Sequence, residues 1–267
     1  VSKVKPLLPE PLAAARRILA ECDVQHPRDI QVEAIAARYG AMIFYGPITT
    51  AHGSITRSAK KAVIWIDQRA KGQPRADFTA AHELGHHVLH ELVDHFEQCQ
   101  GEEGQPPRGS TEARQTESRR RAVEREADQF SVELRMPEAW GAPLCDRPRP
   151  TLDDIDRVAR TFRASFHASA LRFLELTSAP CALVRTVGGK IKRSTETEAF
   201  PGRIVQTRAV HPASVAARLQ TRRAGGEEGP REVPGEAWGD AGGAGFVEET
   251  IALGPELGVM SWIRPIA

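Results

Sequence analysis

The chain is short of several things. Its four cysteines, Cys22, Cys99, Cys145 and Cys181, are scattered through 267 residues with no C-x-x-C pair. Neither a cysteine zinc site nor a disulfide framework is therefore indicated. No apolar run approaches the roughly 20 residues that cross a bilayer, and the first residues lack the pattern of a signal peptide. A membrane role is not expected, and a reducing cytoplasm is the expected setting. Charge of one sign is missing too. Thirty-six basic and 35 acidic residues leave a net charge of +1, which argues against a broad electrostatic grip on nucleic acid. The length leaves room for two or three small domains with cores of their own.

What is present points to chemistry. Residues His82-Glu83-Leu84-Gly85-His86 spell H-E-x-x-H inside a stretch, 77–92, that reads as an amphipathic helix. Phe78, Ala81, Gly85, Leu89 and Leu92 form its apolar stripe. Two histidines four apart on a helix share a side, so both rings can reach one metal ion. The glutamate after the first histidine then stands where it can take a proton from water on that ion. The plain alternative is a core helix with satisfied histidines.

A mononuclear catalytic zinc takes three protein ligands. The longer signature that continues with glycine and a third histidine is excluded, because Leu89 and Leu92 occupy those positions. His90 extends the row by another turn, but three successive turns of a straight helix converge poorly on one ion. His87, His90 and His95 are read as solvated residues or as partners behind the ligands. The third ligand is therefore sought on another element. The run 123–137 qualifies: Val123, Ala127, Phe130 and Leu134 give it a core face, and Pro137 fits its end. Glu126 borders that face on one side and Glu124 on the other.

The block Phe78-Thr79-Ala80-Ala81-His82-Glu83-Leu84-Gly85-His86-His87, followed by Glu124-x-Glu126-Ala127-Asp128-x-Phe130 and Leu134-x-Met136-Pro137, resembles the ImmA/IrrE-type metallopeptidases. The resemblance implies an α+β fold: a zincin-like, mostly helical peptidase domain with a small sheet. It implies Glu126, directly before the Ala-Asp pair, as the ligand that joins His82 and His86, and Glu83 as general base. Zinc is the default ion for such a set, with manganese and iron left open. The implied activity is limited proteolysis of a protein substrate, a helix-turn-helix repressor of the DdrO kind, which switches on a DNA-damage and radiation stress response. The alternative class is a regulator that binds DNA or the repressor and keeps the metal as a structural staple. Tyr45, His52 and Arg57 are unranked as oxyanion donors. The strand-like 62–66 is expected as a sheet edge near the site, able to pair with an extended substrate. The polar segment 99–121 departs from the resemblance and is expected as a mobile insertion.

Organisation follows from periodicity and breakers. Residues 11–21 and 29–39 read as helices and 41–45 as a strand, within a peptidase domain spanning 1–140. Three prolines mark 141–150 as a linker. In 151–177, Thr151 and Asp154 form a capping pair, and two helices flank a break at 163–165, a helix-turn-helix-like segment. Arg163 stands where many such turns have glycine. The second helix offers Ala168, Ala170, Leu171, Phe173 and Leu174, with few polar groups beyond His167 and Arg172. That composition suits packing, so direct DNA binding is not expected. Residues 180–267 read as a small α/β or β-rich domain, and the family resemblance implies a GAF-like sensor fold there. They comprise a hairpin (182–187 and 190–194), a short helix (211–219), a loop (222–245), and strands at 246–251 and 259–263. A small-molecule or signal ligand, or substrate docking, is its expected role.

Overall fold

The alternation in segment 61–67 sets the first layer. In β4 (Lys61–Asp67), Ala62, Ile64 and Ile66 face one side and are buried, while Lys61 and Trp65 face the other. This computed structural model describes residues 2–4, 7–48, 52–58, 61–90, 111–220, 227–239, 245–254 and 257–266. β4 is the middle strand of three. It pairs in parallel with β2 (Ala41–Gly46) and antiparallel with β3 (Gly53–Ser58). The strand expected at the edge is therefore central, and the edges are β2 and β3. Ile55 is the only large apolar residue in β3, so the alternation of this strand is too weak to read.

Four helices belong with this sheet: α1 (Pro9–Glu21), α2 (Val32–Arg38), α3 (Pro74–Leu89) and α4 (Thr111–Arg135). Prolines suit the first turn of α1, where no N–H partner is lost, and Leu12, Ala15, Ile18 and Leu19 bury one face. Ile18, Ile35, Ile64, Ile66, Leu84, Phe130 and Leu134 meet in one core. Each such side chain contributes about 1.5–3 kcal/mol by leaving water. Gly85 sets how closely α3 and α4 approach. A Cβ there would lie 3.0 Å from Phe130 Cδ1 and 3.2 Å from the Ala127 Cα. α4 already begins at Thr111, inside the segment expected as an insertion, while 99–110 lie outside the described residues. His95 and the last turn expected of the metal helix, 91–92, lie outside them as well.

Leu7–Pro137 with Phe162–Ala164 make one unit, and Val1–Pro6, Glu138–Thr161 and Ser165–Ala267 make the other. The second unit is built on a six-stranded sheet of order β1-β6-β5-β9-β8-β7. Its strands are β1 (Ser2–Lys3), β5 (Ala182–Val187), β6 (Lys190–Glu196), β7 (Glu227–Val233), β8 (Phe246–Gly254) and β9 (Gly258–Pro265). All neighbours are antiparallel except β1 with β6. Val184, Val215, Leu219, Trp238, Phe246 and Ile263 share its core with α8 (Val215–Gln220) and α9 (Gly235–Trp238). β7 and α9 fall in 222–245, where the composition predicts a loop. Pairing with β8 forms a strand there despite its polar residues.

Helices α5 (Glu138–Cys145), α6 (Leu152–Phe162) and α7 (Phe166–Leu176) lie between β4 and β5 in the chain, after α4. The expected cap is present: Thr151 Oγ1 donates to Asp154 Oδ2 at 3.0 Å, and the Asp154 N–H returns to Thr151 Oγ1 at 3.4 Å. Arg163, in the turn, has a positive φ of 49°. Phe173 packs edge-on against Trp262 with centroids 5.7 Å apart, and the Trp262 indole donates to the Pro150 carbonyl at 2.9 Å. Arg172 is 2% exposed and pairs with Glu175 at 3.1 Å, so the one arginine of α7 faces inward. Among the described residues, no helix is long and apolar enough to cross a membrane.

Candidate metal centre

The 3.6-residue repeat of α3 stacks His82 and His86, with ring centroids 4.7 Å apart and Nε2 atoms 3.0 Å apart. Glu124 of α4 faces both. Its Oε2 is 3.4 Å from His82 Nε2, and its Oε1 is 3.8 Å from His86 Nε2. Among the described residues, these three form a group whose ligand atoms lie within 4.8 Å of one another. Ligands at about 2.05 Å from a tetrahedral zinc are roughly 3.3 Å apart. Two imidazole nitrogens and a carboxylate at these separations fit such an ion.

The resemblance implies Glu126 as the carboxylate ligand, yet the structure brings Glu124 to the histidine pair. Glu126 Oε2 lies instead 3.1 Å from His90 Nε2. The reason is rotation about the axis of α4. Ala127 is pressed against Gly85, which fixes the face turned to α3. At 3.6 residues per turn, Glu124 sits about 60° to one side of Ala127 and Asp128 about 100° to that same side, while Glu126 sits about 100° to the other. Asp128 uses its position: its Oδ1 is 2.9 Å from His82 Nδ1. A carboxylate can only accept, so His82 donates from Nδ1 and turns Nε2 towards Glu124 and His86.

The electrostatics agree with a cation site. Burial alone would lower the His82 pKa, but hydrogen bonds to Asp128 and Glu124 prevail and raise it to about 10. The Glu124 carboxyl is held below its ordinary value, first by His82. A metal ion between the rings would replace the extra proton that His82 holds between two carboxylates. Glu83 is 9% exposed, and burial pushes its pKa up to about 7, opposed by His82 and reinforced by Glu124. β3 passes close above it. A Cβ on Gly53 would press into Thr79 Cγ2 and come within 3.2 Å of Glu83 Oε1, so glycine is what fits there.

Two of the unranked residues, Tyr45 and Arg57, have side-chain partners of their own, and the Arg57 charge also acts to lower the Glu83 pKa. The Tyr45 hydroxyl donates to Glu33 at 2.8 Å. Arg57 Nη1 donates to the carbonyls of His86 and His90 at 2.6 and 2.9 Å, closing the C-terminal end of α3. The His52 carbonyl accepts from the Asp67 N–H at 3.1 Å, and His87 Nε2 lies 3.0 Å from the Tyr39 carbonyl.

A helix-borne histidine pair with its glutamate, met by a carboxylate from a second helix, is metallopeptidase chemistry. Residues 36–174 match the family model of the IrrE N-terminal-like domain, a peptidase family, and the chain belongs to that family. No curated protein matches it. Among solved structures, a Mycobacterium tuberculosis transcriptional regulator is similar in fold. The TM-score is 0.56, covering 96% of this chain and 88% of that one at 18% identity.

Proposed function

We propose that the chain is a zinc-dependent endopeptidase that makes a limited cut in a helix-turn-helix transcriptional repressor of the DdrO kind. In this reading His82, His86 and Glu124 hold the ion, Asp128 orients His82, and Glu83 is the general base. The observation that carries it is the convergence of Glu124 with the two Nε2 atoms beside buried Glu83. When bound, the ion supplies Lewis-acid polarisation of the scissile carbonyl and acidifies water. Glu83 takes the proton of the attacking water and delivers it to the leaving nitrogen. β3, at the sheet edge with Gly53 close to Glu83, offers backbone groups to an extended substrate segment.

The repressor substrate, the radiation and DNA-damage response and a cytoplasmic setting come from the family resemblance. So does a GAF-like sensor or docking role for 180–267. The DNA-binding alternative gains nothing from α7, whose Arg172 is buried. The test is to incubate the purified chain, with zinc or manganese, with candidate repressors of this class beside Glu83→Gln. A discrete metal-dependent cut, absent with the variant, supports the reading. Repressors left intact by a metal-filled wild type count against it.

A further inference from the structure

We propose that His90 and Glu126 form a hydrogen-bonded relay that fixes the tautomer and orientation of His86, which makes His90 a positioning residue of the metal site. The inference rests on the ligand set proposed above.

The atoms lie in sequence. Glu126 Oε2 is 3.1 Å from His90 Nε2, and His90 Nδ1 is 3.2 Å from His86 Nδ1. On the far side of its ring, His86 presents Nε2 to Glu124 Oε1 at 3.8 Å. With both rings neutral, the donor count leaves one arrangement. A carboxylate has only acceptors, so the His90 proton sits on Nε2. A neutral imidazole with that proton keeps a lone pair on Nδ1, so His86 must donate from its own Nδ1. His86 Nε2 is left with its lone pair aimed at Glu124 and His82, as a ligand needs.

The backbone supports this use of His90. The chain leaves α3 at this residue, with φ −110° and ψ 122°. Arg57 pins the exit by donating to the carbonyls of both His86 and His90. The His90 side chain is 11% exposed, so water competes little for its bonds. Each ligand histidine thus has a carboxylate behind it. Asp128 reaches His82 directly, and Glu126 reaches His86 through His90. Glu124 and Glu126 accordingly have different tasks, one towards the ion and one behind it.

The test is zinc affinity, by chelator competition, for the full chain and two variants. His90→Leu removes the acceptor, whereas His90→Asn offers a side-chain oxygen near the place of Nδ1. Loss of such a partner weakens metal binding about 10- to 100-fold. That loss is expected for His90→Leu, with most of it recovered in His90→Asn. Unchanged affinity in His90→Leu, or equal loss in both variants, overturns the relay. A second readout needs no metal. In metal-free wild type with 15N-labelled histidine, His86 should carry its proton on Nδ1, and a proton on Nε2 instead overturns the relay. Failure of the ligand set looks different: wild type binds no zinc, or binding survives Glu124→Ala.

Discussion

Asp128 Oδ1 stands 2.9 Å from His82 Nδ1, one helical turn beyond Glu124 on the same helix. α4 therefore supplies both the carboxylate that faces the histidine pair and the one that holds the first histidine. Asp128→Ala should weaken zinc binding about 10- to 100-fold. Asp128→Asn, which keeps an acceptor without the charge, should lose less. Competition with a chromophoric chelator measures both, and an unchanged affinity in Asp128→Ala would remove this residue from the site.

Gly85 offers a test of packing. Alanine improves helix propensity by up to about 1 kcal/mol, but its Cβ would meet Phe130 Cδ1 at 3.0 Å and the Ala127 backbone at 3.2 Å. Backbone atoms yield poorly, and overpacking of this kind costs about 1–3 kcal/mol. The expected outcome of Gly85→Ala is a net loss of stability in urea, with weaker metal binding because α4 carries Glu124.

Asp67 makes the acid limb testable. Arg69 donates its Nε to Oδ2 and its backbone N–H to Oδ1, both at 2.9 Å, and holds the Asp67 carboxyl at about 2. The folded value lies below the unfolded one, about 3.9. The contribution to stability is thus complete above the unfolded value and disappears as pH falls through about 2. Asp67→Asn should be less stable near neutrality and should lose less between about pH 4 and 2. Tm measured against pH shows this directly, and parallel curves for the two proteins would contradict it.

Cys145 and Cys181 are fully buried. Burial pushes the Cys145 thiol up to about 12 and raises that of Cys181 as well. Since the thiolate is the reactive form, neither should take up a maleimide at neutral pH until the protein unfolds. Peptide mass spectrometry after brief labelling, native and denatured, distinguishes the two states. Rapid native labelling of either residue would contradict its place in the core.

In the second unit, the Glu248 carboxyl accepts from the Val215 and Ala216 N–H groups and Trp238 Nε1, each at 2.8 Å. Thr250 Oγ1 and Ser261 Oγ add bonds at 3.0 and 3.1 Å. Removing the acceptor strands buried donors, so Glu248→Ala should cost roughly 3–5 kcal/mol in chemical denaturation. A loss below about 1 kcal/mol would show that water or rearrangement satisfies those donors.

Part of the fold and of the candidate site is legible in the amino-acid sequence. The histidine pair declares itself because helical periodicity and metal chemistry coincide in five residues. β4 shows itself by alternating Ala62, Ile64 and Ile66, and α6 by the reciprocal Thr151 and Asp154 cap. β3 and β7 are hidden because partners hold them: each is mostly polar or small and becomes a strand by pairing with β4 or β8. The choice between Glu124 and Glu126 is hidden for another reason. Both border the apolar stripe, and only the contact of Ala127 with Gly85 decides which flank of α4 turns towards His82. The spacing of Glu124 and Asp128, four residues on one helix side, is the signal available to make that choice.

The most direct test of the metal centre is bound zinc per chain in dialysed Glu124→Ala and Glu126→Ala, measured beside wild type. The expected result is near-complete loss of zinc from Glu124→Ala, with Glu126→Ala retaining it at reduced affinity. Zinc kept by Glu124→Ala and lost by Glu126→Ala would contradict the assignment and return Glu126 to the ion.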